Sequence, residues 1–253
     1  MLPTLLLLLG SDLDLNAPRL ATEYDHFHRD QLDRMVQNET MLVEWQTSKA
    51  RANPSWVQSI DKKVEAKTRA RWAWLLREEL RGKSVLCVGA RGGGEVRAFR
   101  SLGAFAVGVD LYPAAGTDLV LPGNAHYLQF ASSSADFVFT NIMDHIPDLC
   151  QFASEVARVL RPGGLFFSDV LLQTLGQDSW AVRDTGTPAF YAFLADCFNR
   201  TRMMELPGSL GHAPSRAAWL RKVASGEKLV GVSQNGTTDR VRYRKKSGNG
   251  WRG

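Results

Sequence analysis

The sequence predicts a doubly wound α/β fold with a mostly parallel sheet, and three observations lead to this prediction. From Lys83 onwards, short apolar runs alternate with amphipathic stretches, which is typical of strands and helices that follow one another in such a sheet. A glycine-rich turn follows the first apolar run, and Asp110 ends the second. The chain has 253 residues, of which 44% are hydrophobic, so it can bury one sizeable core.

The sheet domain is predicted to span residues 83–233 and to contain seven strands. The strands are expected at residues 84–88, 105–109, 119–121, 137–140, 165–168, 202–206 and 228–232. Helices are expected between them at residues 93–102, 149–160 and 188–198. Gly82 can adopt the left-handed conformation that ends a helix, so it is placed directly before the first strand.

An N-terminal helical extension is predicted at residues 21–82, after an apolar, flexible stretch at residues 1–20. Apolar residues recur at helical spacing in two segments, 21–47 and 55–81, and Asn53-Pro54 breaks the pattern between them. Ser55 is the expected cap of the second helix. The extension is interpreted as a cover packed on the main domain, because apolar stripes usually find their own core; a lid over a substrate pocket is the alternative.

The two ends of the chain limit its location and partners. The run Leu5–Leu9 is well short of the roughly 18 residues that a membrane span needs, and a secretory signal or anchor remains an alternative. The net charge of +5 lies in the tail, predicted to be disordered over residues 234–253, where six basic residues face one acidic residue. A solvated tail is preferred; contact with RNA or an anionic membrane is the alternative.

No metal site and no disulfide framework are predicted. The three cysteines, Cys87, Cys150 and Cys197, are widely spaced and odd in number, which favours a reducing compartment such as the cytoplasm. His26 and His28 have side chains that can bind a metal, but a helix would point the two rings apart.

The turn after the first strand, residues 89–96, predicts a binding site for an anionic or nucleoside ligand. Backbone amides at a helix N-terminus attract anions, and glycines let a ligand lie against the main chain. Asp110 stands 17 residues past Gly93, where a carboxylate can accept both hydroxyls of an adenosine ribose. Arg91 occupies the position of a middle glycine, so the turn alone does not choose between ligand classes, and a P-loop is excluded.

The successive motifs of this region resemble those of class I S-adenosylmethionine-dependent methyltransferases, with a methyltransferase type 11-like domain. The resemblance covers about 80 residues and rests on residues 85–93, 107–110, 123–130, 135–139 and 155–164. The last motif is the most distinctive, because a helix ends there at the Pro162-Gly163 turn. The resemblance implies a Rossmann-like methyltransferase fold, S-adenosyl-L-methionine as cofactor, and methyl transfer to an acceptor.

The resemblance also implies which residues bind the cofactor. They are Gly89, Ala90, Arg91, Gly93, Asp110, Leu111, Asn124, Ala125 and Asn141. The Asn124 carbonyl oxygen is expected to meet the adenine amino group. We hypothesise that the Arg91 guanidinium meets the methionyl carboxylate; a pair with Glu95, four residues on, is the alternative.

Three positions depart from the pattern of the family. Many relatives have an acidic residue at Cys87, a glycine at Arg91 and an aspartate at Asn124. Cys87 removes a carboxylate that commonly helps to order the glycine loop or the cofactor's amino-acid end, and it is interpreted as a small buried filler. The loop Gly-Ala-Arg-x-Gly-x-Glu-Val is similar to that of uncharacterised plant-type members.

The segment after the fourth strand bears on the acceptor. Asn141-Ile142-Met143 lacks the N/D-P-P-Y turn of relatives that methylate adenine or glutamine, so a small-molecule acceptor is preferred. His145 is the candidate general base, and a histidine that fixes the loop is the alternative. Asp169 either touches the acceptor or closes a turn. Two other functions stay open: a catalytically silent cofactor-binding or scaffold protein, and an RNA-modifying methyltransferase that uses the basic tail.

Overall fold

A computed structural model of the chain describes residues 47–48, 54–146, 148–171, 198–206 and 215–222. Within these ranges the fold is an α/β sheet with helices on both faces. The helices are α1 (Pro54–Leu80), α2 (Gly94–Ser101) and α3 (Leu149–Val159), with a 3₁₀ turn at Met143–His145. The strands are β1 (Ser84–Val88), β2 (Phe105–Asp110), β3 (Val120–Pro122), β4 (Ala135–Thr140), β5 (Leu160–Leu171), β6 (Phe198–Leu206) and β7 (Ser215–Lys222).

The sheet has seven strands in the order β3-β2-β1-β4-β5-β7-β6, which confirms the predicted doubly wound, mostly parallel sheet. The first five strands are parallel, and β7 runs antiparallel between β5 and β6. The chain moves outward from β1 to β3 and then returns to the other side of β1 with β4. Ligands bind at such a reversal, outside the carboxyl ends of the strands, so the loops after β1 and β4 define the candidate site.

Alternate residues of the central strands supply two apolar cores, one on each face of the sheet. On one face, Leu86, Val138 and Phe166 pack against α3 through Phe152 and Val156. On the other face, the buried cluster consists of Cys87, Phe139, Phe167, the α2 residue Phe99 and the α1 residue Trp72, with further members around them. Strands buried on both faces are typical of a parallel sheet, and this burial explains their continuous apolar runs.

Helix α1 is part of the second core. Trp72 is fully buried, and its ring lies 4.6 Å from the Phe167 ring and 5.8 Å from the Phe139 ring, centroid to centroid. Leu80, at the end of the helix, is also fully buried. This packing favours the cover over the lid for residues 54–80. The helix begins at Pro54, one residue before the predicted cap, and Gly82 has the expected positive φ of 70°.

Several predicted boundaries differ from the structure. Strand β5 begins at Leu160 rather than Leu165, because Leu160 already pairs with Ala135 before regular pairing resumes at Leu165. Gly163 has the positive φ, 74°, that the Pro-Gly turn predicts. The predicted helix at 188–198 is wrong at Phe198, which begins β6 in the structure. Its remainder lies outside the described residues.

The last strand was not predicted where it occurs. Residues 215–222 form β7, whereas the strand expected at 228–232 lies outside the described residues. The predicted helix at 21–47 lies outside them except for its last residue, and His26, His28 and the tail at 234–253 lie wholly outside. No helix among the described ranges is long and apolar enough to cross a membrane.

Candidate functional site

The loop after β1 begins with a glycine that the structure requires. Gly89 has a φ of 82°, and a Cβ atom there would lie 2.5 Å from Cγ1 of Ile142. The Gly89 and Ala90 amides both donate to the Val109 carbonyl oxygen, at 2.8 and 3.2 Å. The loop is thus held against the end of β2 on one side and against the segment after β4 on the other.

Asp110, at the carboxyl end of β2, faces this loop. Its Oδ2 accepts a hydrogen bond from the Arg91 amide at 3.0 Å, and its Oδ1 accepts one from the Tyr112 amide at 2.8 Å. The structure therefore brings together two features that the sequence analysis paired by spacing alone. A carboxylate has about four lone-pair sites, so Asp110 can accept further hydrogen bonds from a ligand.

Arg91 adopts a backbone conformation that favours glycine. Its φ is 31°, and only one other non-glycine residue among those described, Ser133, has a positive φ. Positive φ is uncommon outside glycine and costs of the order of 1–3 kcal/mol where the residue is strained. Glycine, the residue that the resemblance leads one to expect here, takes a positive φ without strain. The carboxylate of Glu95, the alternative partner of Arg91, accepts a hydrogen bond from Asn141.

The loop after β3 is tied to the same strand end. The Gly123 amide donates to the Asp110 carbonyl oxygen at 2.9 Å, so the loop that carries Asn124 and Ala125 lies beside Asp110. Asn124 Oδ1 accepts a hydrogen bond from the His126 amide at 2.8 Å. The oxygen expected to meet adenine is therefore already engaged once, and one lone pair remains for a ligand.

The segment after β4 is linked to the first loop by a buried pair. Asn141 Nδ2 donates to Oε1 of Glu95 at 2.9 Å, and Thr140 Oγ1 donates to the Val88 carbonyl oxygen at 3.0 Å. Glu95 is only 4% exposed. The pKa of Glu95 is raised from 4.5 to about 7, chiefly by burial and also by the charge of Asp61, while hydrogen bonds from the backbone and from Asn141 and the charge of Lys67 oppose the rise.

Cys87 fills space in the core on the α1 side of the sheet. Its side chain is 1% exposed and belongs to the cluster around Trp72 and Phe139. Burial raises the pKa of the Cys87 thiol well above its ordinary value, and the neighbouring Glu95 raises it further. A neutral buried thiol behaves as a small apolar group, which agrees with the interpretation of Cys87 as a filler.

Helix α1 contributes a side chain that the sequence analysis missed. Asp61 Oδ1 accepts a hydrogen bond from the Gly94 amide at 2.7 Å, so a carboxylate from α1 caps the N-terminus of α2. A Cβ atom on Gly94 would lie 2.5 Å from the Asp61 carbonyl oxygen, so this glycine lets the two helices approach. Arg97 pairs with both Asp61 and Glu65. Nothing in the sequence pattern marks Asp61 as a partner of the glycine loop.

A second buried cluster joins α1 to the end of β5. Asp169 Oδ2 lies 2.5 Å from Nη1 of Arg71 and 3.2 Å from Nζ of Lys67, and all three side chains are less than 10% exposed. Asp169 lies within β5 and not in a turn, and its contact with an acceptor stays a prediction. Asp169 anchors α1 at the rim of the candidate site, and the sequence did not indicate this because charged residues on a helix usually face solvent.

The remaining predicted residues lie around this centre. Gly93 has a φ of 83° and precedes α2, Leu111 is 47% exposed after β2, and Ala125 packs partly buried against the α3-side core. His145 lies in the 3₁₀ turn, and its amide donates to the Ile142 carbonyl oxygen at 2.8 Å. Its role as a base stays a prediction. Among the residues that the structure describes, no cluster of three metal-ligating side chains occurs.

Together these residues form a rim at the carboxyl ends of β1, β2 and β4. It combines the glycine loop after β1 with the Asp110 carboxylate, which can accept hydrogen bonds from hydroxyls. Asn124 follows β3, and Asn141 follows β4. An open α/β sheet with the strand order 3-2-1-4-5-7-6, in which strand 7 is antiparallel, defines the class I methyltransferase fold.

Comparison with known proteins supports this class. Residues 86–168 match the family model described as a methyltransferase domain, which covers the glycine loop, Asp110, Asn141 and β5 up to residue 168. No curated protein matches the chain.

Solved structures with the same fold share little sequence with the chain. The 1,6-didemethyltoxoflavin-N1-methyltransferase of Burkholderia thailandensis, crystallised with 1,6-didemethyltoxoflavin and S-adenosylhomocysteine, is 17% identical with a TM-score of 0.58. The match covers 74% of this chain and 90% of that one. A complex of the Haloferax volcanii Trm112 methyltransferase activator with a methyltransferase matches at 17% identity and a TM-score of 0.52, covering 71% and 97%.

Residues 86–168 are thus similar to a methyltransferase domain, and the sheet has the fold of the solved methyltransferases. The cofactor that the resemblance of the sequence implies is S-adenosylmethionine. The residues present fit that group, since Asp110 retains acceptor capacity beside a loop whose backbone a ligand can approach. When bound, this cofactor would supply an electrophilic methyl group, and the protein would bind, align and desolvate the reacting groups.

Proposed function

We propose that the chain transfers a methyl group from S-adenosylmethionine to a small-molecule acceptor, with the cofactor seated against the loops after β1, β2 and β4. The observation that carries the proposal is the contact between Asp110 and the glycine loop, where Oδ2 lies 3.0 Å from the Arg91 amide. In this position the carboxylate accepts the ribose hydroxyls while the loop backbone approaches the amino-acid end.

The other binding residues follow from the same geometry. Asn124 and Ala125 line the adenine side, because their loop is tied to the Asp110 carbonyl oxygen. Arg91 supplies a guanidinium for the cofactor carboxylate, since Gly94, at the helix N-terminus, is already capped by Asp61. His145 is the candidate base for an acceptor that loses a proton on methylation.

A small acceptor is supported by the segment after β4. Asn141 is committed to Glu95 and is followed by Ile142 and Met143, and Met143 is fully buried. This segment offers no paired prolines and no aromatic ring to grip a planar base. The acceptor is therefore proposed to be a small molecule rather than a nucleobase.

Isothermal titration with S-adenosylhomocysteine tests the cofactor site directly. Asp110→Asn removes the charge but keeps one acceptor oxygen, and we expect it to weaken binding by about ten- to a hundredfold, the value of one or two hydrogen bonds to a charged group. Glu78→Gln is the matched control, because it makes the same chemical change at an exposed position of α1. Loss of affinity in both variants, or in neither, would contradict the assignment of Asp110.

Arg91→Gly tests the guanidinium separately. The change replaces the strained residue by the family's usual one, so the loop backbone is expected to keep its conformation. Weaker binding of S-adenosylhomocysteine, with unchanged binding of adenosine, would locate the guanidinium at the amino-acid end of the cofactor. Untargeted methylation of a metabolite extract with methyl-labelled cofactor would then identify the acceptor, and label found only in RNA would overturn the small-molecule proposal.

A further inference from the structure

Glu95 is a buried carboxylate to which the proposed mechanism gives no role. It stands in the first turn of α2, behind the glycine loop, and its side chain reaches across to the end of β4. It is 4% exposed, although an isolated carboxylate is costly to bury. Packing alone therefore does not explain why a carboxylate is buried at this position.

We propose that Glu95 is a positioning residue of the cofactor site: it holds the Asn141 amide so that Oδ1 accepts a hydrogen bond from the cofactor's α-ammonium group. This inference rests on the proposed function. It also gives the chain a carboxylate behind the glycine loop, next to the position where Cys87 replaces the family's acidic residue.

The first step of the argument is the orientation of the amide. A side-chain amide has two donors on nitrogen and an acceptor oxygen, and the choice between its two orientations depends on its partners. Asn141 Nδ2 donates to Oε1 of Glu95 at 2.9 Å. An ionised carboxylate only accepts hydrogen bonds, so it selects this orientation and leaves Oδ1 available to a ligand that donates.

The second step is that the two loops form one unit. Ile142, next to Asn141, contacts Gly89, and its amide donates to Thr140 Oγ1 at 3.3 Å. The same hydroxyl donates to the Val88 carbonyl oxygen at 3.0 Å. Asn141 therefore sits beside the glycine loop on a short, constrained segment, and Glu95 determines which of its atoms is presented.

The third step is the charge around Glu95. From α1, Asp61 and Lys67 act on it with opposite signs, and from β1 the Cys87 thiol is neutral and buried. Burial is the main cause that raises the pKa of Glu95 to about 7, so its carboxyl group is ionised only in part at neutral pH. A protonated Glu95 can donate to Asn141 Oδ1, which turns the amide around and points Nδ2 at the ammonium group.

The consequence is that cofactor affinity follows the ionisation of Glu95. We expect the Kd for S-adenosylhomocysteine to fall about tenfold between pH 5.5 and pH 7.5, the effect of gaining one hydrogen bond to a charged donor. S-adenosylhomocysteine is the probe because it carries the same α-ammonium group and transfers no methyl group.

The experiment compares binding by isothermal titration in the unaltered chain, Glu95→Gln and the control Glu78→Gln across this pH range. Glutamine can both donate and accept, so Glu95→Gln is expected to bind with a Kd that changes less than about twofold with pH. Glu78→Gln is expected to keep the full dependence. Retention of the tenfold dependence in Glu95→Gln would overturn the inference.

A second variant covers the case in which Glu95→Gln does not fold. Asn141→Ala removes the amide and leaves Glu95 in place, so it is expected to bind more weakly at pH 7.5 and to show no dependence on pH. Persistence of the dependence in Asn141→Ala would also overturn the inference. If the unaltered chain bound no S-adenosylhomocysteine at any pH, the proposed function itself would fail, and the two failures are thereby distinguished.

Discussion

The buried cluster of Asp169, Lys67 and Arg71 leads to a prediction about stability. Asp169→Asn keeps the shape of the side chain and removes the negative charge that pairs with both Lys67 and Arg71. The Asp169 side chain is 0% exposed, and those of Lys67 and Arg71 are 8% and 6% exposed, so two cations would stay buried beside a neutral amide. Breaking a buried pair in this way costs about 3–5 kcal/mol.

The cost should be visible in chemical denaturation. We expect the free energy of unfolding to fall by that amount with an unchanged m-value, and the melting temperature to fall by roughly 6–20 °C for a chain of this size. Lys67→Met should cost less, because Asp169 still pairs with Arg71.

Breaking an exposed ion pair serves as the control, because it shows how much of the stability loss comes from burial of the charges. Arg161→Gln breaks the ion pair with Asp136, in which the Arg161 side chain is 50% exposed, and its cost is expected to be below about 1 kcal/mol. Added salt should weaken the Arg161 effect and leave the Asp169 effect unchanged. If Asp169→Asn cost no more than Arg161→Gln, the argument that the cluster anchors α1 would be refuted.

Three further predictions concern the site and the core. The pKa of Glu95 is raised from 4.5 to about 7 on folding, so its stabilising contribution is complete below pH 4.5 and disappears as the pH rises through 7; the fall, roughly 3 kcal/mol, should be absent from urea titrations of Glu95→Gln. Gly89→Ala meets both a positive φ and the side chain of Ile142, and thermal unfolding should show a loss of at least about 1–2 kcal/mol. Trp72→Ala empties the centre of the α1-side core and should cost about 3–5 kcal/mol by denaturant titration.

The sequence predicted the central sheet well because its signals are local. Strand β1 occurs at Ser84–Val88 as expected, since an apolar run between two turn signals has few other interpretations. The end of β2 at Asp110 and the positive φ of Gly163 follow from equally local chemistry. These features determine the fold class and the rim of the candidate site.

Strand β7 shows where local signals fail. Its sequence, Ser-Arg-Ala-Ala-Trp-Leu-Arg-Lys, contains no β-branched residue, so its intrinsic preference for a strand is weak. It is a strand because β5 and β6 pair with it on both sides. Pairing between distant segments cannot be inferred from the composition of one of them.

The helix α1 shows the same limit for charged residues. Lys67 and Arg71 fit a solvated face by their spacing, and only the position of Asp169 at the end of β5 shows that they are buried. Likewise, Asp61 belongs to no motif, and its contact with Gly94 depends on how α1 and α2 cross. Interactions over long sequence distances thus determine the part of the site that the family pattern does not cover.

Gly92 and Gly94 lie where helix α1 packs closely against the glycine loop. A side chain at either position would collide with Asp61. The close approach of α1, rather than of a nucleotide, therefore accounts for glycine at these two positions. A fragment limited to the residues of the family match would keep the loop but lose its contact with Asp61. It would also lose Trp72, which covers the rings of Phe139 and Phe167. Fragments that contain the methyltransferase domain therefore need to include helix α1 from Pro54.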